Sequence, residues 1–165
     1  MVPVYIELVS AYPEPDHVAS LSVGEIERII YPLGLHWRAS LIKQLAESIA
    51  RTGEIPARLE ELPGVGAYIA AAFRTLHLGQ RAVLIDSNIV RFVCRLNGAK
   101  YEAETRRKRW LFALCDELTP SSDTQTFNYA LLDFAMQVCA PKPNCAECPL
   151  SRECCFAKWS NYSRK

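Results

Sequence analysis

The sequence predicts an all-α fold, on two observations. Apolar residues recur at three- and four-residue spacing almost everywhere rather than alternating, and short breaks rich in Pro and Gly separate the periodic stretches. The chain has 165 residues, of which 50% are hydrophobic and 22% charged. That is enough to bury a core in one domain or two small ones, and it excludes a disordered chain.

The elements follow in order. The opening residues through Pro15 lack a basic leader and carry Glu7 within their apolar part, which argues against a secretory signal. After Pro13 and Pro15, Ser22 stands three residues before Glu25 in capping-box spacing, and opens a helix carrying Ile26, Ile29 and Ile30. Gly34 breaks the pattern. A second clear helix carries Leu41, Leu45 and Ile49 and stops at Gly53 after Arg51, with Pro56 beyond. A short helix ends near Glu61, and a longer one runs from about Ala67 to Leu78. The segment from Arg81 to Asp86 looks extended and reads as a buried connector into a helix marked by Ile89, Val93 and Leu96 and ended by Gly98. Trp110, Leu111, Leu114 and Leu118 form the apolar face of the next helix, which begins in the basic cluster Arg106-Arg107-Lys108-Arg109. Such a run is most often a solvated face. Past Pro120, Ser121 and Ser122, the last long helix carries Phe127, Leu131, Phe134 and Val138. About eight helices result, without internal repeats, low-complexity tracts or a flexible linker. No apolar run approaches the roughly 20 residues of a membrane span. A cytoplasmic chain is expected.

The formal net charge is +1, which by itself argues against a nucleic-acid partner. The total conceals an asymmetry. Residues 1–61 hold 5 basic and 9 acidic side chains, whereas residues 62–165 hold 14 basic and 9 acidic ones. An anionic partner should meet the second part.

Three sites carry chemistry. In Leu62-Pro63-Gly64-Val65-Gly66, two glycines around one apolar residue allow a tight turn and close backbone approach. The amides that open the following helix, from Ala67 on, then form an anion site. This reads as a helix-hairpin-helix that binds a DNA phosphate without reading a base; the plainer reading is an ordinary glycine-rich connection. Next, Cys139, Cys145, Cys148 and Cys154 place four thiols within 16 residues. Seven cysteines in a chain of this kind favour zinc or an iron–sulfur cluster over disulfides, and spacing leaves both metals open. Cys94 and Cys115 fall on apolar helix faces and read as core, while Cys155 is a second candidate for the fourth ligand. Finally, Asp86 stands at the mouth of a helix, where an Asp is ordinarily an N-cap.

Leu62 to Gly66, Ile85-Asp86-Ser87-Asn88, Phe127-Asn128-Tyr129-Ala130-Leu131-Leu132-Asp133 and the four cysteines, in that order, resemble the helix-hairpin-helix DNA glycosylases with an iron–sulfur cluster, the endonuclease III superfamily. The resemblance runs to about Cys155. It implies a helical-barrel subdomain with the hairpin over residues 1–83 and a cluster subdomain over residues 84–165. It implies a [4Fe-4S] cluster on Cys139, Cys145, Cys148 and Cys154, although the first gap is five residues where six is usual. Double-stranded DNA with a mismatched or damaged base is the implied partner, met by Leu62, Pro63, Gly64, Val65, Gly66 and Ala67, and by Lys142 and Arg152 beside the cluster, with Lys158 nearby. A monovalent cation at the hairpin belongs to the same expectation.

In such an enzyme the target nucleotide is extruded into a pocket. Asp86 matches the family's catalytic aspartate, which stabilises positive charge on the sugar. Bifunctional relatives place an imine-forming lysine where this chain has Tyr68. A monofunctional glycosylase is therefore expected, with Tyr68 against the flipped base. Ser87 after the aspartate, Gly34-Leu35-His36-Trp37-Arg38 and the lack of an extra C-terminal domain favour thymine or uracil opposite guanine over adenine opposite guanine or 8-oxoguanine. A non-catalytic DNA-binding iron–sulfur module is the further alternative.

Members of the family normally have a stretch ahead of the segment matched by Val4 to Tyr12. It includes one helix of each subdomain and a wedge residue. Both subdomains are thus expected to lack a piece, with a dimer or partner covering the exposed surface. Of the remaining residues, His77 reads as a surface or capping histidine, His36 and Trp37 as a loop within reach of DNA, and Asp133 as a group needing a partner if buried.

Overall fold

The structure, a computed structural model, describes the backbone of residues 2–162 and the side chains of residues 2–159. Among the described residues there are nine α-helices and no strands, with short 3-10 turns between α3 and α4, α4 and α5, and α6 and α7. They are α1 (Val2–Ala11), α2 (Pro15–Ser20), α3 (Val23–Ile30), α4 (Ala39–Thr52), α5 (Ala67–Leu76), α6 (Ser87–Asn97), α7 (Arg109–Leu118), α8 (Thr124–Asp133) and α9 (Cys155–Tyr162). None is long and apolar enough to cross a membrane. The chain divides into two compact units, Met1–Ala70 and Ala71–Lys165, so that the division falls within α5.

In the first unit α4 packs against α2 and α3. The core is Leu21, Ile26, Ile30 and Ala39, with Val18, Leu33 and Ile42 around it. The chain ends are tied where the sequence places its caps. Ser22 accepts from the amide of Glu25, whose carboxylate accepts from the amide of Ser22. The Ser22 hydroxyl also donates to that carboxylate at 2.7 Å, and this bond, then the one from the Ser22 amide, holds the Glu25 carboxyl below its usual range. Lys43 of α4 reaches across to donate to the carbonyls of Ala19 (2.7 Å) and Leu21 (2.8 Å), which satisfies orphan acceptors at the end of α2. On α1, by contrast, no residue is buried, and Val2, Tyr5, Ile6 and Val9 are exposed.

The second unit is built around α6. Ile89, Val90, Phe92, Val93 and Cys94 are buried there, and pack with Leu84, Leu111, Cys115 and Ala135. Each fully buried aliphatic or aromatic side chain contributes about 1.5–3 kcal/mol, so this one helix supplies a large share of the unit's stability. Cys94 and Cys115 are core residues; burial, and then the neighbouring Cys94, push the Cys115 thiol up to about 11. The segment before α6 is irregular; Leu84 is fully inside, but Ala82, Val83, Ile85 and Asp86 are half-buried and Arg81 is exposed, so the expected buried connector is buried only at its centre. The long last helix of the sequence reading is divided: α8 ends at Asp133 and the chain continues as a π turn, Phe134–Val138. Asp133 itself is exposed and needs no buried partner.

Gly98 ends α6 with φ +70°, and a Cβ there would lie 3.2 Å from Cys155 Cβ on α9. Replacing Gly98 with Ala is expected to cost about 1–2 kcal/mol. A lower midpoint in thermal or urea unfolding, read by circular dichroism, checks this.

Candidate nucleic-acid and catalytic site

The hairpin begins where the 3-10 turn Leu59–Glu61 meets Leu62, which is buried and anchors the loop. Gly64 has φ +74°, and a Cβ on it would sit 3.2 Å from Leu41 Cβ of α4. Only glycine fits both the left-handed backbone and the close approach to α4. A Cβ on Gly66 would meet nothing within 4 Å, so there the missing side chain leaves open space in front of the backbone. Gly66, Ala67 and Tyr68 are exposed at the start of α5, where the first-turn amides of a helix have no intrahelical acceptor. Tyr68 is 41% exposed.

In the second unit Asp86 is the N-cap of α6, with extended backbone. Its Oδ1 accepts from the Ile89 amide at 2.7 Å and its Oδ2 accepts from Asn88 Nδ2 at 2.7 Å. The carboxylate thus performs the ordinary capping role and is fixed in orientation by a donor on each oxygen. Behind it runs a chain of polar contacts the sequence reading did not foresee. Arg91 donates through Nη1 to Asn88 Oδ1 (3.0 Å), through Nη2 to Ala135 O (2.7 Å), and through Nε to Cys139 O (3.0 Å). One turn later, Arg95 donates to the carbonyls of Cys139, Ala140 and Pro141 and to Cys139 Sγ at 3.5 Å. Its guanidinium also lies 4.7 Å over the Phe156 ring. Two arginines four apart, interrupting the apolar pattern of a buried helix, were the available signal.

Cys139, Cys145, Cys148 and Cys154 line one small pocket together with Phe92 and Phe134. Burial, and then the neighbouring thiols of Cys154, Cys148 and Cys139, push the Cys145 thiol up, opposed by Arg95. Cys154 Sγ also lies 3.4 Å from the carbonyl of Arg95. Cys155 lines a different cavity, beside Cys94, Gly98 and Trp159. Among the described residues, no three His, Cys, Asp or Glu side chains gather as the ligands of a single metal ion. Lys142, Arg152 and Lys158 are exposed on or beside this loop. Arg107 and Lys108 of the basic cluster pair with Glu104 and Glu102. His77 is exposed, its ring 5.4 Å from that of Phe73, and Trp37 is exposed with the Arg38 guanidinium 4.9 Å from its ring.

Residues 1–113 match the family described as HhH-GPD superfamily base excision DNA repair protein, and the chain belongs to that family. It shares 39% identity with a thymine/uracil-DNA glycosylase of Pyrobaculum aerophilum, over 94% of this chain and 72% of the relative. An adenine DNA glycosylase of Homo sapiens is 27% identical, over 91% of this chain and 29% of that one. The solved structure of a thermostable thymine-DNA glycosylase superposes with a TM-score of 0.86 at 31% identity, covering 95% of this chain and 76% of that one. The fold is therefore the all-helical helix-hairpin-helix glycosylase fold, and the chain is a base excision repair DNA glycosylase, a hydrolase.

The cap geometry separates two substitutions at one position. Asp86→Asn keeps an oxygen for the Ile89 amide and should change stability by a few tenths of a kcal/mol, whereas Asp86→Ala should cost about 1 kcal/mol. Paired thermal melts of the two variants test this.

Proposed function

We propose that this glycosylase hydrolyses the N-glycosidic bond of thymine or uracil opposite guanine in duplex DNA and leaves the abasic strand uncut. The observation that carries the reading is Asp86, a carboxylate held by donors on both oxygens at the mouth of α6. Breaking the bond leaves positive charge on the deoxyribose, and a pre-oriented anion stabilises that charge without reorganising. The same carboxylate orients the attacking water. The duplex is held through its phosphates by the exposed amides at Gly66 and Ala67, where no side chain obstructs approach. Tyr68 contacts the extruded base. A phenol forms no imine with the sugar, so hydrolysis ends the reaction. The choice of base is supported by the higher identity to the thymine/uracil enzyme than to the adenine enzyme, 39% against 27%, and by Ser87 following Asp86. The expected setting is the cytoplasm, at the nucleoid in a prokaryote.

The reading is tested with duplexes holding G:T, G:U, A:G and A:8-oxoguanine, with excision revealed by alkali. Release should be fastest from G:U and G:T, and borohydride should trap no covalent protein–DNA adduct. Asp86→Asn should retain duplex binding while excision falls about 10²- to 10³-fold. Equal excision by both forms refutes the role of Asp86, and a strong trapped adduct refutes monofunctional chemistry.

The four thiols that share a pocket fit a [4Fe-4S] cluster, a thiolate-held group in which each cysteine binds a different iron. Cys139, Cys145, Cys148 and Cys154 would hold it; Cys155, in the other cavity, would not. When bound, the cluster ties together a loop that has little apolar core of its own. Arg95, donating to Cys139 Sγ, places positive charge beside the anionic ligand set. Replacing Cys154 with Ser should lower bound iron and the broad absorbance near 400 nm, while Cys155→Ser should leave both unchanged. Iron analysis of the purified variants decides between the two cysteines.

A further inference from the structure

Asn128 lies on α8 with none of its surface exposed. An amide at that depth is costly unless its polar atoms are bonded. Its Nδ2 donates one hydrogen to Thr75 Oγ1 and the other to the Ala82 carbonyl, each at 3.0 Å. Its Oδ1 has no partner among the described residues. The amide is therefore oriented by its donors alone, since a flipped amide would set Oδ1 against the Ala82 carbonyl.

The two acceptors flank a reversal of the chain. Thr75 is in the last turn of α5, Ala82 begins the connector into α6, and Gly79, with φ +63°, lies between them. Three residues before Asn128 on α8, Gln125 donates to the Leu76 carbonyl at 2.8 Å. From α7, the Asp116 carboxylate accepts from Arg81 at 2.8 Å, and Arg81 also donates to the carbonyls of Asp116 and Thr119. Of these clamps the Asn128–Thr75 bond is the buried one, and the part-buried Asn128–Ala82 bond is the one made to the connector's own backbone rather than to the exposed Arg81 side chain at its start. Leu84 follows two residues after Ala82, fixed in the core, and Asp86 two after that. So short a run, pinned at both ends, has no slack to absorb a displacement at Ala82.

We propose that Asn128 is a positioning residue for Asp86: by holding Ala82 against Thr75, it sets where the connector delivers the carboxylate at the start of α6. The inference rests on the catalytic role given to Asp86 above, and its test includes a measurement that needs no catalysis.

The variants are Asn128→Leu, Thr75→Val and the double substitution, each verified as folded by circular dichroism at the assay temperature. Asn128→Leu should lower the single-turnover rate of uracil release from a G:U duplex by about 10²-fold, the scale of a misplaced catalytic group, with the duplex dissociation constant within twofold of the unmodified protein. In the double variant both polar partners of the side-chain pair are gone, and part of the lost melting temperature should return. The rate should not return. In parallel, hydrogen exchange of the Ile89 amide, protected by the Asp86 carboxylate, should accelerate at least about tenfold in Asn128→Leu. Unchanged Ile89 exchange overturns the proposal whether or not the unmodified chain excises uracil. A folded Asn128→Leu with nearly full excision rate also overturns it, as does a double variant whose rate recovers along with its stability. If the unmodified chain releases no base while the exchange effect is present, the positioning stands and the functional reading above falls.

Discussion

The second unit depends on one arrangement: two guanidinium groups on a buried helix spend their donors on the backbone of the π turn and of the residues that follow it. Arg91 and Arg95 together bond the carbonyls of Ala135, Cys139, Ala140 and Pro141. These acceptors belong to a segment leaving a helix, where carbonyls have lost their intrahelical partners. Arginine suits the task because its fork of five donors never loses its charge and can serve several acceptors at once. The same helix starts at Asp86, so the proposed catalytic carboxylate and the first proposed cluster ligand are fixed to one rigid element. Charge-assisted bonds of this kind are roughly twice as strong as neutral ones, and leaving either arginine without its acceptors would strand a charge in a half-buried setting.

Much of this was legible in the sequence, and the reason differs from element to element. The helices were readable because their apolar periodicity and caps are local: Ser22 and Glu25, Gly53 and Asp86 act within a few residues of themselves. The hairpin was readable because Gly64 has a backbone need that no other residue meets. The division of the last long helix was not, since Phe134 and Val138 continue the helical spacing and nothing in residue type marks where a turn widens. Arg91, Arg95 and Asn128 were missed for a common reason. The hydrogen-bond partners of their side chains lie between 44 and 53 residues away in sequence, apart from Asn88, and a polar residue on a helix looks the same in sequence whether it meets water or a distant carbonyl. Asn128 stands in the sequence only as one residue of a motif, and its neighbours there give no sign of Thr75 or Ala82.

Asp86 shows how structural and chemical roles coexist. An N-cap requires a short side chain with an oxygen fixed toward the helix amides, and an electrostatic catalyst requires an anion held still. One geometry serves both. Capping alone would be equally well served by Ser, Thr or Asn, so the cap explains the position of Asp86 without explaining its charge. The neighbouring Asn88, which spends an amide hydrogen on the second oxygen, goes beyond what a cap needs.

The π turn at Phe134–Val138 closes with the Cys139 amide donating to the Phe134 carbonyl at 2.9 Å. A π turn inserts about one residue into a helix, and each residue advances an α-helix by about 100°. The extra residue is absorbed without loss of packing: Leu131 before the turn, Ala135 within it and Cys139 after it all meet the core of the second unit, and Cys139 Sγ also accepts from Arg95. The turn thus works as a spacer within a continuous helix. One unbroken stretch of chain keeps its apolar contacts and still delivers a thiol to the donors of α6, without a loop between them that would loosen either.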